Sequence, residues 1–99
     1  MNDKDYMHEE LSDFLEGTFH QDMGTAEKAL NEFIEEAHKV CIENTIKYIT
    51  AFLKSDLSTQ EKEEFIEYYA EIYFPSLKLT PIEWLEQTVE TLKQALKNS

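Results

Sequence analysis

With 99 residues and 41 % hydrophobic content, the chain has length and apolar surface for one core, which excludes a disordered chain and leaves no room for a second domain. Its net charge is −12 and its nine cations are all lysine, so the absence of the arginine fork and a repulsive field both argue against nucleic acid and for a basic partner. No apolar run approaches the roughly 20 residues of a membrane span. The acidic opening Met1-Asn2-Asp3-Lys4-Asp5 has no apolar signal segment, and the single Cys41 suits a reducing compartment, so a cytoplasmic location is expected.

The acidity is regional. Residues 1–22 carry −6 and residues 55–75 carry −5, whereas residues 23–54 carry −1 and residues 76–99 are neutral. Acidic surfaces also keep small proteins soluble, so this asymmetry alone does not define a binding face. From about Asp5 to Glu16, Met7, Leu11, Phe14 and Leu15 recur at helical spacing, with Glu9, Asp13 and Glu16 on the opposite stripe. His8 sits at the edge of the apolar face, where a partly exposed, packed ring is expected. Gly17 is read as the C-cap that stops this helix, and Gly24-Thr25 as the restart. Between them, Thr18 to Met23 is read as a tight elbow. Phe19 is its buried anchor, and His20, Gln21 and Asp22 serve backbone groups left unpaired by the turn.

Ala26, Leu30, Phe33, Ile34 and Ala37 form the next apolar stripe, and Ile42, Ile46, Ile49 and Leu53 the one after it. No glycine or proline separates them. At about 100° per residue, however, the second stripe is rotated by roughly 150° from the first, so one straight helix would be buried on opposite faces. Two helices are predicted, over 25–36 and 39–54, with a break near Glu36 to Lys39. Tyr48, Phe52 and Cys41 widen the apolar face of the second, which makes it the central helix and Cys41 a small core residue. His38 and Cys41 have an i, i+3 spacing that could suit a metal, but no second cysteine completes a four-ligand site, and no metal is expected.

Ser58-Thr59-Gln60-Glu61 is a capping box that opens a fourth helix. Phe65, Ile66, Tyr69, Ile72 and Tyr73 are expected to face inward and Glu64, Glu67 and Glu71 outward, with Glu63 and Gln60 beside them. Tyr68 falls on the flank, either as an interface anchor or as a ring half-packed on a neighbouring helix. Phe74 to Leu79 reads as a connector, because Pro75 cannot continue a helix and biases Phe74 to extended geometry. Thr80-Pro81-Ile82-Glu83 combines an N-cap, Pro at the first helical position and a reaching glutamate. The helix it opens buries Ile82, Leu85, Val89, Leu92 and Leu96, and Trp84 lies off that face to cover the connector. The whole is an all-α bundle of about five helices in one domain, residues 1–99.

Catalytic chemistry is not visible in this pattern. Two glycines cannot make a phosphate loop, the serines sit outside any motif, and His20 with Asp22 is the one pair to weigh as the site of a small metal-dependent hydrolase. A non-enzymatic protein without a cofactor is the expectation. A different acidic interaction module, or a nucleic-acid mimic acting as a regulator, is the alternative to the reading that follows.

Phe14-Leu15-Glu16-Gly17-Thr18-Phe19-His20-Gln21-Asp22 resembles the hallmark of small helical immunity proteins from bacterial contact-dependent growth inhibition systems. There a leucine-rich helix runs into a glycine, aromatics and His-Gln-Asp, usually followed by Trp, and the late Trp84-Leu85 is similar as well. Thr18 stands where the family tends to have an aromatic, and Met23 where it tends to have Trp. The resemblance implies a protein that binds the C-terminal domain of a cognate toxin, one to one, and blocks it. It also makes a nuclease a reasonable expectation for that toxin. On that reading Glu9, Asp13 and Glu16 of the first helix and Glu63, Glu64, Glu67, Tyr68 and Glu71 of the fourth are the candidate contact residues, and Gly17 to Asp22 the structural motif.

Overall fold

A computed structural model describes residues 3–19 and 25–98, with the side chains of the first helix described from His8 onward. Its helices are α1 (Asp3–Thr18), α2 (Ala26–Glu36), α3 (Lys39–Leu53), α4 (Thr59–Tyr69), α5 (Phe74–Leu77) and α6 (Pro81–Lys97). Among the described residues there is no strand, so the all-α expectation holds, with one short helix more than the five read from periodicity.

The break between the second and third stripes falls where the change of face requires it. Ala37 and His38 are both extended, and the Ala37 N–H still bonds to the Phe33 carbonyl, so α2 closes and α3 opens two residues later with its buried face redirected. The helix starts follow local chemistry. Thr25 accepts from the Lys28 N–H through its hydroxyl, and both Ser58–Glu61 and Thr80–Glu83 make reciprocal capping boxes that satisfy otherwise orphaned N–H groups.

α3 packs on α1 and α6, α4 packs on the same two helices and meets α3 where Phe65 lies against Phe52, and α2 touches α1 and α6. The interior so enclosed is apolar: Leu11, Leu15, Phe19, Ile49, Phe52, Ile66, Leu85 and Leu92 are all but completely buried. Rings link the layers. Phe14 meets Phe33 and Phe19 edge-on, and Phe19 in turn meets Trp84 at 4.8 Å between centroids. The buried hydroxyls of Thr45 and Thr88 donate back to the Cys41 and Trp84 carbonyls, and among the described residues no buried side-chain polar atom lacks a partner.

Four expectations need correction. Gly17 does not stop α1: it is helical, its φ lies outside the left-handed range, and the Phe19 N–H still bonds to the Leu15 carbonyl at 2.9 Å. Leu11, Leu15 and Phe19 repeat every four residues, and burying the third of them carries the last turn through the glycine. Cys41 is exposed: it lies in the first turn of α3, at the edge of the buried face that runs through Ile42, Thr45, Ile49 and Phe52. α4 ends at Tyr69, so Tyr73 is exposed and Ile72 only half-buried. The connector is not wholly irregular, since Phe74–Leu77 makes one helical turn with Pro75 at its start, closed by Lys78 at φ 58°.

Candidate functional site

The predicted acidic positions divide by how the helices sit. On α1, Glu9, Asp13 and Glu16 are exposed, opposite Leu11, Phe14 and Leu15. The His8 ring, half-buried, lies 5.6 Å from both Phe52 and Phe65, which fixes the side of α1 that adjoins α4. By helical rotation Glu9 and Glu16 lean toward that side, and Asp13 leans toward α3.

On α4, Glu64 and Glu67 are exposed and Glu63 is half-buried. The amide of Gln60 donates to the Glu64 carboxylate at 2.9 Å, a bond between side chains one turn apart. Phe65 turns toward His8 of α1, so the adjoining flank, which carries Tyr68, borders the seam between the two helices. Tyr68 is 77 % exposed, and its ring stands edge-on to Tyr69 at 4.8 Å. Tyr69 leans on Phe65 and Phe65 on Phe52, so the exposed ring ends an aromatic file that reaches the core.

Glu71 is exposed beyond the end of α4, and its backbone does what its side chain does not reveal. Its N–H donates to the Phe19 carbonyl at 2.8 Å, joining the C-terminal ends of α1 and α4. Phe19 therefore anchors twice, by its fully buried ring and by its carbonyl. His20, Gln21 and Asp22, expected to bond around the turn, lie outside the described residues, as do Met23 and Gly24.

Lys62, the one lysine of residues 55–75, is turned to another helix. It reaches the Leu53 carbonyl with its ammonium at 2.7 Å and holds the last turn of α3. The acids of α4 are thus left without a cation from their own helix. His38 and Cys41 are both exposed at the start of α3, and among the described residues no group of three or more His, Cys, Asp or Glu side chains could hold a metal ion. A groove of about 340 Å³ lies between α2, α5 and α6, floored by Leu30, Trp84 and Thr88. Trp84 is buried at its edge, edge-on between Phe19 and Phe74, so it joins α5 in the connector to the end of α1.

On the α1–α3 seam, Tyr48 is half-buried and donates its hydroxyl to Thr45 Oγ1 at 3.2 Å. Burial pushes its phenol up to about 12, and the carboxylates of Glu10 and Asp13 act in the same direction. Tyr48 is therefore a neutral donor there at any ordinary pH.

Sequence reasoning missed Tyr73, which is 75 % exposed, and the bond from Glu71 to Phe19. The residues around Tyr69 carry no local stop signal, and a backbone bond between positions far apart in the chain leaves no trace in local composition.

Comparison with known families adds one finding: the family model described as CdiI immunity protein matches residues 7–92, which spans α1 through most of α6. No curated protein and no solved structure gives a match.

Proposed function

The chain belongs to the CdiI immunity protein family, and from that membership we propose that it binds the C-terminal domain of one cognate toxin, one to one, in the cytoplasm of the cell that makes it. Among the described residues no helix is long and apolar enough to cross a membrane. The family match carries the reading. Neutralising a toxin requires only that its active site or essential surface be covered, so binding suffices and no turnover is needed.

The exposed acids of α1 and α4 support a partner with a basic face. Glu9, Asp13, Glu16, Glu64, Glu67 and Glu71 all reach solvent, and Glu63 lies half-buried beside them. A nuclease, whose active site gathers cations for phosphate, would present such a face. Long-range attraction would then orient the pair before contact.

Co-expression with the toxin fragment encoded by the neighbouring reading frame tests the proposal. Growth should be restored, and the purified pair should elute as a one-to-one complex. Rescue without association, or association without rescue, overturns it.

A further inference from the structure

Tyr68 and Tyr73 are the two most exposed large hydrophobic side chains among the described residues. They bracket the stretch that leaves α4, in which Ala70 is extended and the Glu71 N–H is pinned to Phe19. We propose that these two rings are the aromatic anchors of the immunity protein's contact with its toxin, and that they receive a lysine- or arginine-bearing segment lying across Glu67 and Glu71. The proposal rests on the toxin-binding reading and specifies which part of the acidic surface makes close contact.

Three observations favour the pair. First, both rings are presented by constrained backbone. Tyr68 stands on the Tyr69–Phe65–Phe52 file, and the Tyr73 carbonyl accepts from both the N–H and the hydroxyl of Ser76, which fixes the residue at the start of α5. A residue whose backbone is already fixed loses less freedom on binding, which is why tyrosines on rigid segments serve well as anchors.

Second, the two lie within one footprint. Five residues extend at most about 17 Å, whereas an ordinary interface covers about 800 Å² on each partner, a patch close to 30 Å across. A partner seated on one ring would reach the other.

Third, charge selects the occupant. Between and beside the rings stand the exposed carboxylates of Glu64, Glu67 and Glu71, while Lys62 is occupied at the end of α3. A second copy of this chain would bring its own acids against these and be repelled. A cation over a tyrosine face gains from the ring quadrupole and, at this place, from the neighbouring carboxylates as well.

The test measures binding of the neighbouring toxin fragment to wild type, Tyr68→Ala, Tyr73→Ala and Tyr68→Phe by stopped flow, with helix content checked by circular dichroism. Each alanine variant should raise the dissociation rate about ten- to thirtyfold with little change in association rate, as for truncated anchors elsewhere. Tyr68→Phe, which keeps the ring, should stay near wild type. If the wild-type pair associates and both alanine variants dissociate at the wild-type rate, the anchors lie elsewhere and only this inference fails. If wild type does not associate at all, the toxin-binding reading fails with it. A free protein that sediments as a dimer, and becomes monomeric in the alanine variants, would assign the rings to a second copy and overturn the proposal.

Discussion

Gly17 and Phe19 stand two residues apart and carry opposite costs. A Cβ built on Gly17 meets no atom within 4 Å, and the residue is exposed and helical, so its hydrogen confers freedom on the unfolded chain without serving the folded one. Gly17→Ala should raise stability by about 0.5–1 kcal/mol. Phe19 is enclosed by Phe14 and Trp84 with no exposed surface, and its truncation removes the ring contacts that join α1 to α6. Phe19→Ala should cost about 3–5 kcal/mol. Guanidinium unfolding of the two variants reads both signs, since the midpoints should move in opposite directions. A midpoint lowered by Gly17→Ala would mean that the residue adopts a conformation closed to alanine, as the sequence pattern around the motif first implies. The buried anchor was legible because an apolar residue between turn formers has one place to go. The glycine misled because its usual role at helix ends was outweighed by the four-residue recurrence of Leu11, Leu15 and Phe19.

At the scale of helices, what could be read in advance was what local spacing controls. The rotation between the stripes of α2 and α3 required two helices, and Ser58–Glu61 and Thr80–Glu83 marked the starts of α4 and α6 by capping chemistry contained within four residues. The end of α4 was not legible, because the backbone departs there to meet Phe19, a partner far away in the chain. Lys62 was hidden for the same reason. By local pattern it is a surface lysine among glutamates, yet it bonds to the carbonyl of Leu53 at the end of α3, where unpaired carbonyls and the helix dipole both favour a cation. Lys62→Met keeps the stem and removes that charge-assisted bond, so thermal or denaturant unfolding should show a loss of about 1–2 kcal/mol. Lys93→Met is the control. Its ammonium lies 3.7 Å from Glu90 with both side chains largely in water, and an exposed pair of this kind is worth at most a few tenths of a kcal/mol, so little should change. Equal losses from the two variants would show that charge number, rather than the bond to Leu53, decides the effect.

The whole molecule has a radius of gyration of 12.9 Å, close to the roughly 13 Å of a folded chain of about 100 residues, so its charge of −12 is confined to a small volume. The same charge has two consequences of opposite sign. Within the protein, like charges repel and oppose compactness; between the protein and a basic toxin, they attract and hasten encounter. Salt weakens both effects, because the screening length falls from about 30 Å at 0.01 M to about 10 Å at 0.1 M. The melting temperature should therefore rise with sodium chloride over that range, while the association rate with the toxin fragment falls. Reversing Glu64, Glu67 and Glu71 to lysine separates the two responses. Each reversal changes the charge by two units, so the triple variant carries −6, and its self-repulsion is smaller. All three side chains are exposed and the backbone bond from residue 71 to Phe19 does not depend on its side chain, so helix content should be unchanged and the melting temperature equal or higher. Association, by contrast, should slow by at least tenfold at low salt, with a shallower salt dependence than wild type. A variant that melts higher and binds as fast as wild type across the salt series would leave the acids of α4 as a solubility device and move the contact surface to another part of the fold.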